Sequence, residues 1–151
     1  MRAAMLALAV SLMASCGSKG SGNGDTRLPT VPITLPNGKV IRAELATEPA
    51  DQQRGLMFRT SLAADRGMLF VFPAPGDHPF WMYHTLIPLD ILWMDVSRRI
   101  VFVSAHTSPC RSEKPEECPN YGGGHPAQFI LELAAGTAAA NGLRVGDTLQ
   151  F

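Results

Sequence analysis

The sequence predicts a single-domain, mainly β fold of the α+β class, built as a β-sandwich or in a barrel-like form. The length of 151 residues leaves room for one domain. The 12 prolines and 14 glycines favour many short elements over long helices. The third observation is the segment at residues 80–95, where the run that begins at Leu89 is apolar on both faces, as strands at the centre of a sheet are. We therefore expect the rest of the chain to pack around that strand.

A β-hairpin is predicted at the start of the folded part. Asn37-Gly38 separates the runs 32–35 and 40–46, and both residues tolerate the positive φ that a two-residue hairpin turn demands. In the second run apolar and charged residues alternate, which is the pattern of a half-buried strand.

One short helix is predicted at residues 47–55, directly after the hairpin. Thr47 can cap its N-terminus, and Gly55 offers a stop. A helical turn is predicted at residues 137–142, with Thr137 as its cap.

The remaining elements are predicted to be strands separated by turns. Pro88 cannot donate a hydrogen bond to a ladder, so the central segment divides into one strand at residues 79–85 and another at 89–96. Further strands are predicted at residues 67–72, 98–105, 128–133 and 148–151. A loop rich in proline, glycine and charge is expected at residues 107–126.

The N-terminus has the pattern of an export signal. Arg2 precedes an unbroken apolar and small-residue run at residues 3–10, which is too short to span a bilayer as a mature helix. Ala14-Ser15-Cys16 resembles the lipobox of bacterial lipoproteins, in which the cysteine becomes the lipidated first residue. The alternative is an ordinary secreted protein with a stray cysteine.

The domain organisation follows from that pattern. We expect a signal peptide at residues 1–15, a lipidated and flexible tether at 16–27, and a single globular domain at 28–151. The protein is then expected at the periplasmic face of a bacterial membrane, held there by a lipid anchor at Cys16.

The charge balance argues against nucleic acid as a partner. Lysine and arginine number 13, and aspartate and glutamate also number 13. Neither a basic stripe nor an acidic tail appears in the sequence, so no charge-driven partner is implied.

Two cysteines remain once Cys16 is assigned to the lipid anchor. Cys110 and Cys118 lie in the long loop, and in an exported protein such a pair is expected to form a structural disulfide. The alternative is a metal or redox pair, but the spacing is not that of a CxxC motif.

Asp90 is a carboxylate inside an otherwise apolar strand, so it is expected to have a partner or a shifted pKa. The candidate partners are Arg54, Arg59 and His84. One interpretation is a structural ion pair that fixes the helix against the sheet. The other is a general acid or base in a cleft, with His84 assisting.

The aromatic residues Trp81 and Tyr83 carry a second hypothesis. If residues 79–85 form a strand, alternation places this pair on one face, and Met82 and His84 on the other. An exposed pair would make a platform for sugars or peptides, whereas a buried pair would be part of the core.

Metal binding has little support in the sequence, and we predict no metal site and no cofactor. The histidines form no HExxH or other close ligand pair. The alternative is a soft Cu(I) site, because thioether and imidazole ligands suit that ion. Its candidate ligands are Met57, Met68, Met82, Met94, His84 and His106. Methionine in buried segments more often fills gaps in a core.

Several motifs in series resemble one known family. They are RGLMFR at residues 54–59, GMLFVF at 67–72, FWM at 80–82, TLIPLDIL at 85–92 and FILEL at 129–133. The chain is identified by these motifs as similar to the bacterial and archaeal domain-of-unknown-function 192 family. The resemblance implies a compact, mainly β domain, often exported, and it implies no established reaction. Tyr83-His84 stands where that family usually has Lys-Asn, so a site at this position would differ in charge or specificity.

These observations lead to three hypotheses on function. The first is a membrane-tethered, non-enzymatic domain that binds a small ligand or a cell-envelope partner. Its binding residues would be Arg54, Met57, Arg59, Trp81, Met82, Tyr83, His84 and Asp90. The second is an enzyme acting on envelope glycan or peptide, with Asp90 as acid or base. The third is copper handling by methionine and histidine.

Overall fold

A computed structural model describes residues 28–151 of the chain. The predicted signal peptide, Cys16 and the tether lie outside the described residues. The strands are β1 (Thr30–Thr34), β2 (Val40–Ala46), β3 (Arg66–Gly76), β4 (Phe80–Trp81), β5 (Leu89–Met94), β6 (Ile100–Thr107), β7 (Asn120–Tyr121) and β8 (Ala127–Ala134). The helices are α1 (Pro49–Arg54), α2 (Thr137–Ala140) and a 3-10 turn at Pro115–Glu117. Within residues 28–151, none of the helices has the length and apolar character needed to cross a membrane.

Six of the strands form one mixed sheet in the order β1-β2-β3-β8-β5-β6. Only β2 and β3 pair in parallel, and α1 lies in the connection between them. All six residues of β5 are buried, as expected for a strand that is apolar on both faces. β4 and β7 form a separate two-stranded sheet. The prediction of a mainly β fold with little helix is confirmed.

The six-stranded sheet is open and does not close into a barrel. The predicted strand at residues 148–151 consists of isolated bridges. Gln150 pairs with Thr34 at the end of β1, and Thr148 pairs with Arg99 just before β6. The C-terminal segment therefore joins the two outer strands without forming a continuous ladder.

A hydrophobic core lies on each face of the sheet. Alternation along the strands sends Leu131 and Leu133 of β8 into one core, and Ile130 into the other. We call the first the α2 core, because Ala138 of α2 packs in it. The second is the α1 core, because Leu56, two residues after α1, packs in it.

The hairpin between β1 and β2 is confirmed, but its turn is longer than predicted. Leu35 and Lys39 still pair through the Leu35 N–H and the Lys39 carbonyl, so three residues form the loop. Only Gly38 among them has a positive φ, of 82°. A loop of this kind is a tight turn followed by one left-handed residue, a position that suits glycine.

Both predicted helices form, but neither is capped as expected. α1 begins at Pro49 after Glu48, and no side chain caps it, so the Thr47 cap is wrong. Gly55 does end α1, and its N–H donates to the Asp51 carbonyl at 2.8 Å. Thr137 lies inside α2 instead of capping it, because Gly136 takes the capping position.

The predicted strand at residues 79–85 is wrong beyond Trp81. β4 is only two residues long, and the chain then turns, with the Thr85 N–H donating to the Met82 carbonyl at 3.2 Å. His84 in this turn has a φ of 53°, which no strand residue adopts. The strand predicted at residues 67–72 is longer than expected, because β3 continues, with an irregularity, to Gly76.

Candidate functional site

A cleft of about 430 Å³ opens over the α1 core. We call it the Trp81 cleft. It is lined by Ala50, Gln53, Arg54, Met57, Phe58, Trp81, Tyr83 and Pro115. The lining is mostly apolar and aromatic, and Arg54 is the one charged residue in it.

The first wall of the cleft is α1 and the segment that follows it. No residue of α1 is buried, and Leu56 anchors this wall by inserting into the α1 core, where it is 2% exposed. Phe58 has a φ of 64°, and its N–H donates to the His84 carbonyl at 2.8 Å. This hydrogen bond ties the first wall to the turn that carries the aromatic residues.

The second wall is a series of ring contacts. The Trp81 and Tyr83 rings are 5.5 Å apart, the Tyr83 and His84 rings 3.8 Å, and the Phe58 and His84 rings 4.9 Å. Trp81 and Tyr83 are both half-buried. The pair is therefore neither core nor a free platform, but a partly accessible wall.

The disulfide loop provides the third wall. Cys110 and Cys118 are bonded, as predicted. The Cys110 N–H donates to the Met82 carbonyl at 3.1 Å, and the Tyr83 hydroxyl donates to the Glu113 carbonyl at 3.2 Å. The disulfide thus closes a loop that contacts the aromatic wall and carries Pro115 to the cleft.

A cavity of about 30 Å³ adjoins the Trp81 cleft, and a buried carboxylate lies in its wall. Gln53, Arg54, Met57 and Trp81 line both spaces. Glu132 of β8 lines the cavity but not the cleft, and it is 5% exposed. Its Oε2 atom is buried and has no hydrogen-bond partner among the described residues.

Burial dominates the electrostatics of Glu132. It raises the pKa of the carboxyl from 4.5 to about 8, because an apolar surrounding disfavours the charged form. The charge of Arg59 acts in the opposite direction and lowers the pKa, but with the smaller effect. At neutral pH Glu132 is therefore mostly a neutral carboxylic acid, able to donate a hydrogen bond.

The structure brings together only part of the predicted binding set. Arg54, Met57, Trp81 and Tyr83 line the cleft, and His84 adjoins it through its ring contacts. Three other members, Met82, Arg59 and Asp90, lie elsewhere. Met82 is completely buried in the α1 core. Arg59 forms a two-pronged ion pair with Glu44 of β2.

Asp90 lies on the other side of the sheet from the cleft, and its predicted partners are wrong. Its Oδ1 accepts the His106 N–H at 2.9 Å, and its Oδ2 accepts the Ala138 N–H at 2.8 Å. The imidazole Nδ1 of His106 is 3.9 Å from Oδ1. Arg54 and His84 lie on the α1 side, which a carboxylate facing the α2 core does not reach. Asp90 caps α2 from the sheet.

The candidate copper ligands are likewise divided between the two cores. Met68 and Met82 belong to the α1 core and Met94 to the α2 core. His106 follows Asp90 to the α2 side. No group of three histidine, cysteine, aspartate or glutamate residues suited to a metal occurs within residues 28–151.

Glu132 is the site residue that the sequence interpretation missed. It stands between Leu131 and Leu133 in a strand that is apolar on both faces. A carboxylate inside an otherwise apolar strand is the signal that singles out Asp90 in the sequence. The same signal is present at Glu132, so it identifies both residues.

Comparisons with known proteins agree on the family and the fold. The family model DUF192, described as an uncharacterized ACR, matches residues 33–151. No curated protein matches the chain. A crystal structure of a protein of unknown function from Novosphingobium aromaticivorans is 32% identical, with a TM-score of 0.75. The match covers 95% of this chain and 100% of that one. A crystal structure described as a putative transcription regulator from Sinorhizobium meliloti is 30% identical, with a TM-score of 0.73 and coverage of 84% and 97%.

Proposed function

Since the chain belongs to the uncharacterised DUF192 family, we propose a function from the cleft itself: the domain binds a small ligand with an apolar, ring-bearing body. The observation that carries the proposal is the half-buried Trp81–Tyr83 pair in the wall of the cleft. Aromatic faces attract rings and apolar chains, and they also exclude water from what they contact. The cleft volume of about 430 Å³ lies in the range of small-molecule sites.

Arg54 adds a charge requirement to the ligand. It stands in the last turn of α1, is exposed, and forms no ion pair within residues 28–151. A guanidinium at the edge of an apolar cleft favours a ligand with an anionic group. The proposed ligand is therefore an amphiphile with an apolar ring at one end and a negative charge at the other.

The N-terminal pattern supports a location for this binding. A basic residue, an apolar run and Ala14-Ser15-Cys16 favour export and lipidation. The tether at residues 16–27 would hold the cleft near the periplasmic face of a membrane. The proposed source of the ligand is thus the cell envelope.

The binding proposal is tested with a defined probe, 4-phenylbutyrate, which has one ring and one carboxylate. Saturation-transfer NMR on the purified full-length protein is expected to detect binding at millimolar probe. Trp81→Ala is expected to weaken binding at least about tenfold, because the ring loses its largest apolar contact. Val145→Ala is the control, since Val145 is 59% exposed and does not line the cleft. Equal binding by the Trp81→Ala and wild-type proteins would refute the proposal.

The location is tested separately through Cys16. In a bacterial host supplied with labelled palmitate, the wild-type chain is expected to take up label and to sediment with membranes. Cys16→Ser is expected to lose the label, and Cys118→Ser serves as a control that leaves Cys16 intact. Unlabelled wild-type protein recovered free in the periplasm would favour the alternative of a secreted protein without an anchor.

A further inference from the structure

We propose that Glu132 and Arg54 together form a carboxylate-binding subsite beside the Trp81 cleft, in which protonated Glu132 donates a hydrogen bond to one oxygen of the ligand and Arg54 pairs with the other. This inference rests on the proposed function, because the subsite receives the anionic end of the same ligand. It names the anion as a carboxylate and assigns Glu132 a role in recognition.

The first support is the shape of the space. The cavity of about 30 Å³ has room for one water molecule or one ligand oxygen. It shares Arg54, Gln53, Met57 and Trp81 with the cleft, so a ligand seated against Trp81 has its end next to this cavity. The size suits a single oxygen atom and excludes a second ring.

The second support is the unpartnered carboxyl group in its wall. Buried polar atoms are almost always hydrogen-bonded, and an exception calls for a reason. Glu132 Oε2 is such an exception among the described residues. Gly55 keeps the space beside it open, since a Cβ there would stand 3.7 Å from Oε2 and 3.3 Å from the Phe70 ring. A ligand oxygen in the cavity would supply the missing partner.

The third support is the charge around the carboxyl group. Arg54, at the end of α1, lines the cavity. Arg59, which follows α1 in the chain, places a second positive charge near Glu132 and lowers its pKa. The residues paired with Glu132 on the flanking strands, Met68 of β3 and Ile91 of β5, carry no charge. With Glu132 neutral, the subsite is positive. It therefore favours an anion and disfavours an ammonium group.

The choice between a carboxylate and other oxygen ligands is testable with two matched probes. 4-Phenylbutyrate and 4-phenylbutan-1-ol share the ring and chain, and only the first has a carboxylate. We expect the acid to bind about tenfold or more tightly than the alcohol at about pH 7, and Arg54→Gln to remove this preference. Binding of the acid should weaken about tenfold between about pH 7 and about pH 9, as Glu132 loses its proton.

Variants at Glu132 distinguish the effect of its hydrogen-bond donor from the effect of its side-chain volume. Glu132→Gln keeps a donor that does not ionise, so binding of the acid is expected to persist and to lose its dependence on pH. Glu132→Met removes the donor and is expected to weaken binding at both pH values. Glu48→Gln makes the same chemical change on the exposed residue before α1, and should retain the wild-type pH dependence.

A measurement on the wild-type protein covers the case in which these variants do not fold. The carboxyl carbon of Glu132, followed by NMR, should titrate at a higher pH with 4-phenylbutyrate present than without it, because a ligand that binds the protonated form raises the pKa. The alcohol should leave the titration unchanged.

The outcomes distinguish the two proposals. Equal binding of acid and alcohol, with no effect on the Glu132 titration, overturns the subsite and leaves ligand binding in the cleft intact. The cavity then holds water only. Absence of binding by both probes overturns the proposed function and this inference with it.

Discussion

Asp90 and Glu132 lie on neighbouring strands and point to opposite faces of the sheet. Ile91, the residue after Asp90, pairs directly with Glu132 in the β5–β8 ladder. Asp90 faces α2, and Glu132 faces the cavity beside the Trp81 cleft. Both carboxyl groups are buried, but two backbone N–H groups satisfy Asp90, whereas Glu132 Oε2 has no partner among the described residues. The two carboxylates therefore differ: Asp90 is held by hydrogen bonds within the fold, whereas Glu132 has an unused hydrogen-bonding atom in the cavity wall.

Removal of the Asp90 carboxylate should destabilise the protein and leave the cleft unaffected. Asp90→Ala leaves the buried Ala138 N–H and the partly buried His106 N–H without their acceptors. We expect a loss of about 3 kcal/mol or more in the free energy of unfolding, measured by urea denaturation. Under conditions where the variant is folded, 4-phenylbutyrate should bind as it does to the wild type. Lost binding by a fully folded variant would argue that Asp90 acts in the site after all.

Glu132 should make the stability of the protein depend on pH. The pKa of its carboxyl is about 8 in the folded chain, against an ordinary value of 4.5. Between these values the folded state binds more protons than the unfolded state, so stability falls as pH rises through this window. The contribution lost is on the order of 3–5 kcal/mol, because each pKa unit corresponds to about 1.4 kcal/mol.

Glu132→Gln removes that dependence and provides the comparison. The melting temperature of the wild type should fall from about pH 5 to about pH 8 more steeply than that of the variant. The two proteins should differ most above pH 8, where the variant is the more stable. Parallel curves across the whole range would show that the Glu132 carboxyl titrates normally.

Much of the fold is predictable, because the signals concerned are local. The apolar run at β5 predicts a central strand, and Gly38 predicts a hairpin turn. The failure at Tyr83-His84 has a physical reason: His84 adopts a left-handed conformation, which is uncommon for any residue other than glycine. The sequence analysis places Trp81 and Tyr83 in one strand by alternation, but the strand ends at Trp81, so their ring contact at 5.5 Å is not predicted.

The sequence predicts several of the residues that line the cleft, but it does not predict how they are arranged in space. The RGLM and FWM segments do meet at the cleft through Arg54, Met57 and Trp81. What the sequence could not decide is the face on which a buried carboxylate lies. A shift of one residue in register reverses the face of every side chain in a strand, and register depends on long-range pairing. The sequence therefore predicts Asp90 on the cleft side of the sheet, whereas the carboxylate on that side is Glu132, in the wall of the adjoining cavity.

The disulfide should stabilise the fold and support one wall of the cleft. The Cys110–Cys118 bridge closes a short loop, for which the chain-entropy model gives about 2–3 kcal/mol. Cys110→Ser combined with Cys118→Ser should lower the free energy of unfolding by that amount in urea titrations. Because the Tyr83 hydroxyl contacts this loop, binding of 4-phenylbutyrate should also weaken. A variant as stable as the wild type would show that neighbouring contacts hold the loop without the bridge.

Gly122 should be intolerant of any side chain, because it packs against the largest residue of the α1 core. A Cβ on Gly122 would stand 2.1 Å from the indole of Trp93, whose Nε1 donates to the His78 carbonyl.

Gly124 is the matched control: its φ of 85° is close to the 84° of Gly122, but a Cβ there would meet no atom within 4 Å. Both alanine variants therefore have the same backbone strain, about 1–2 kcal/mol, and only Gly122→Ala adds the clash. We expect Gly122→Ala to be the less stable by a further 1–3 kcal/mol or so, measured by thermal unfolding followed through tryptophan fluorescence. Equal losses of stability in the two variants would mean that the Trp93 side chain can repack to accommodate the added methyl group.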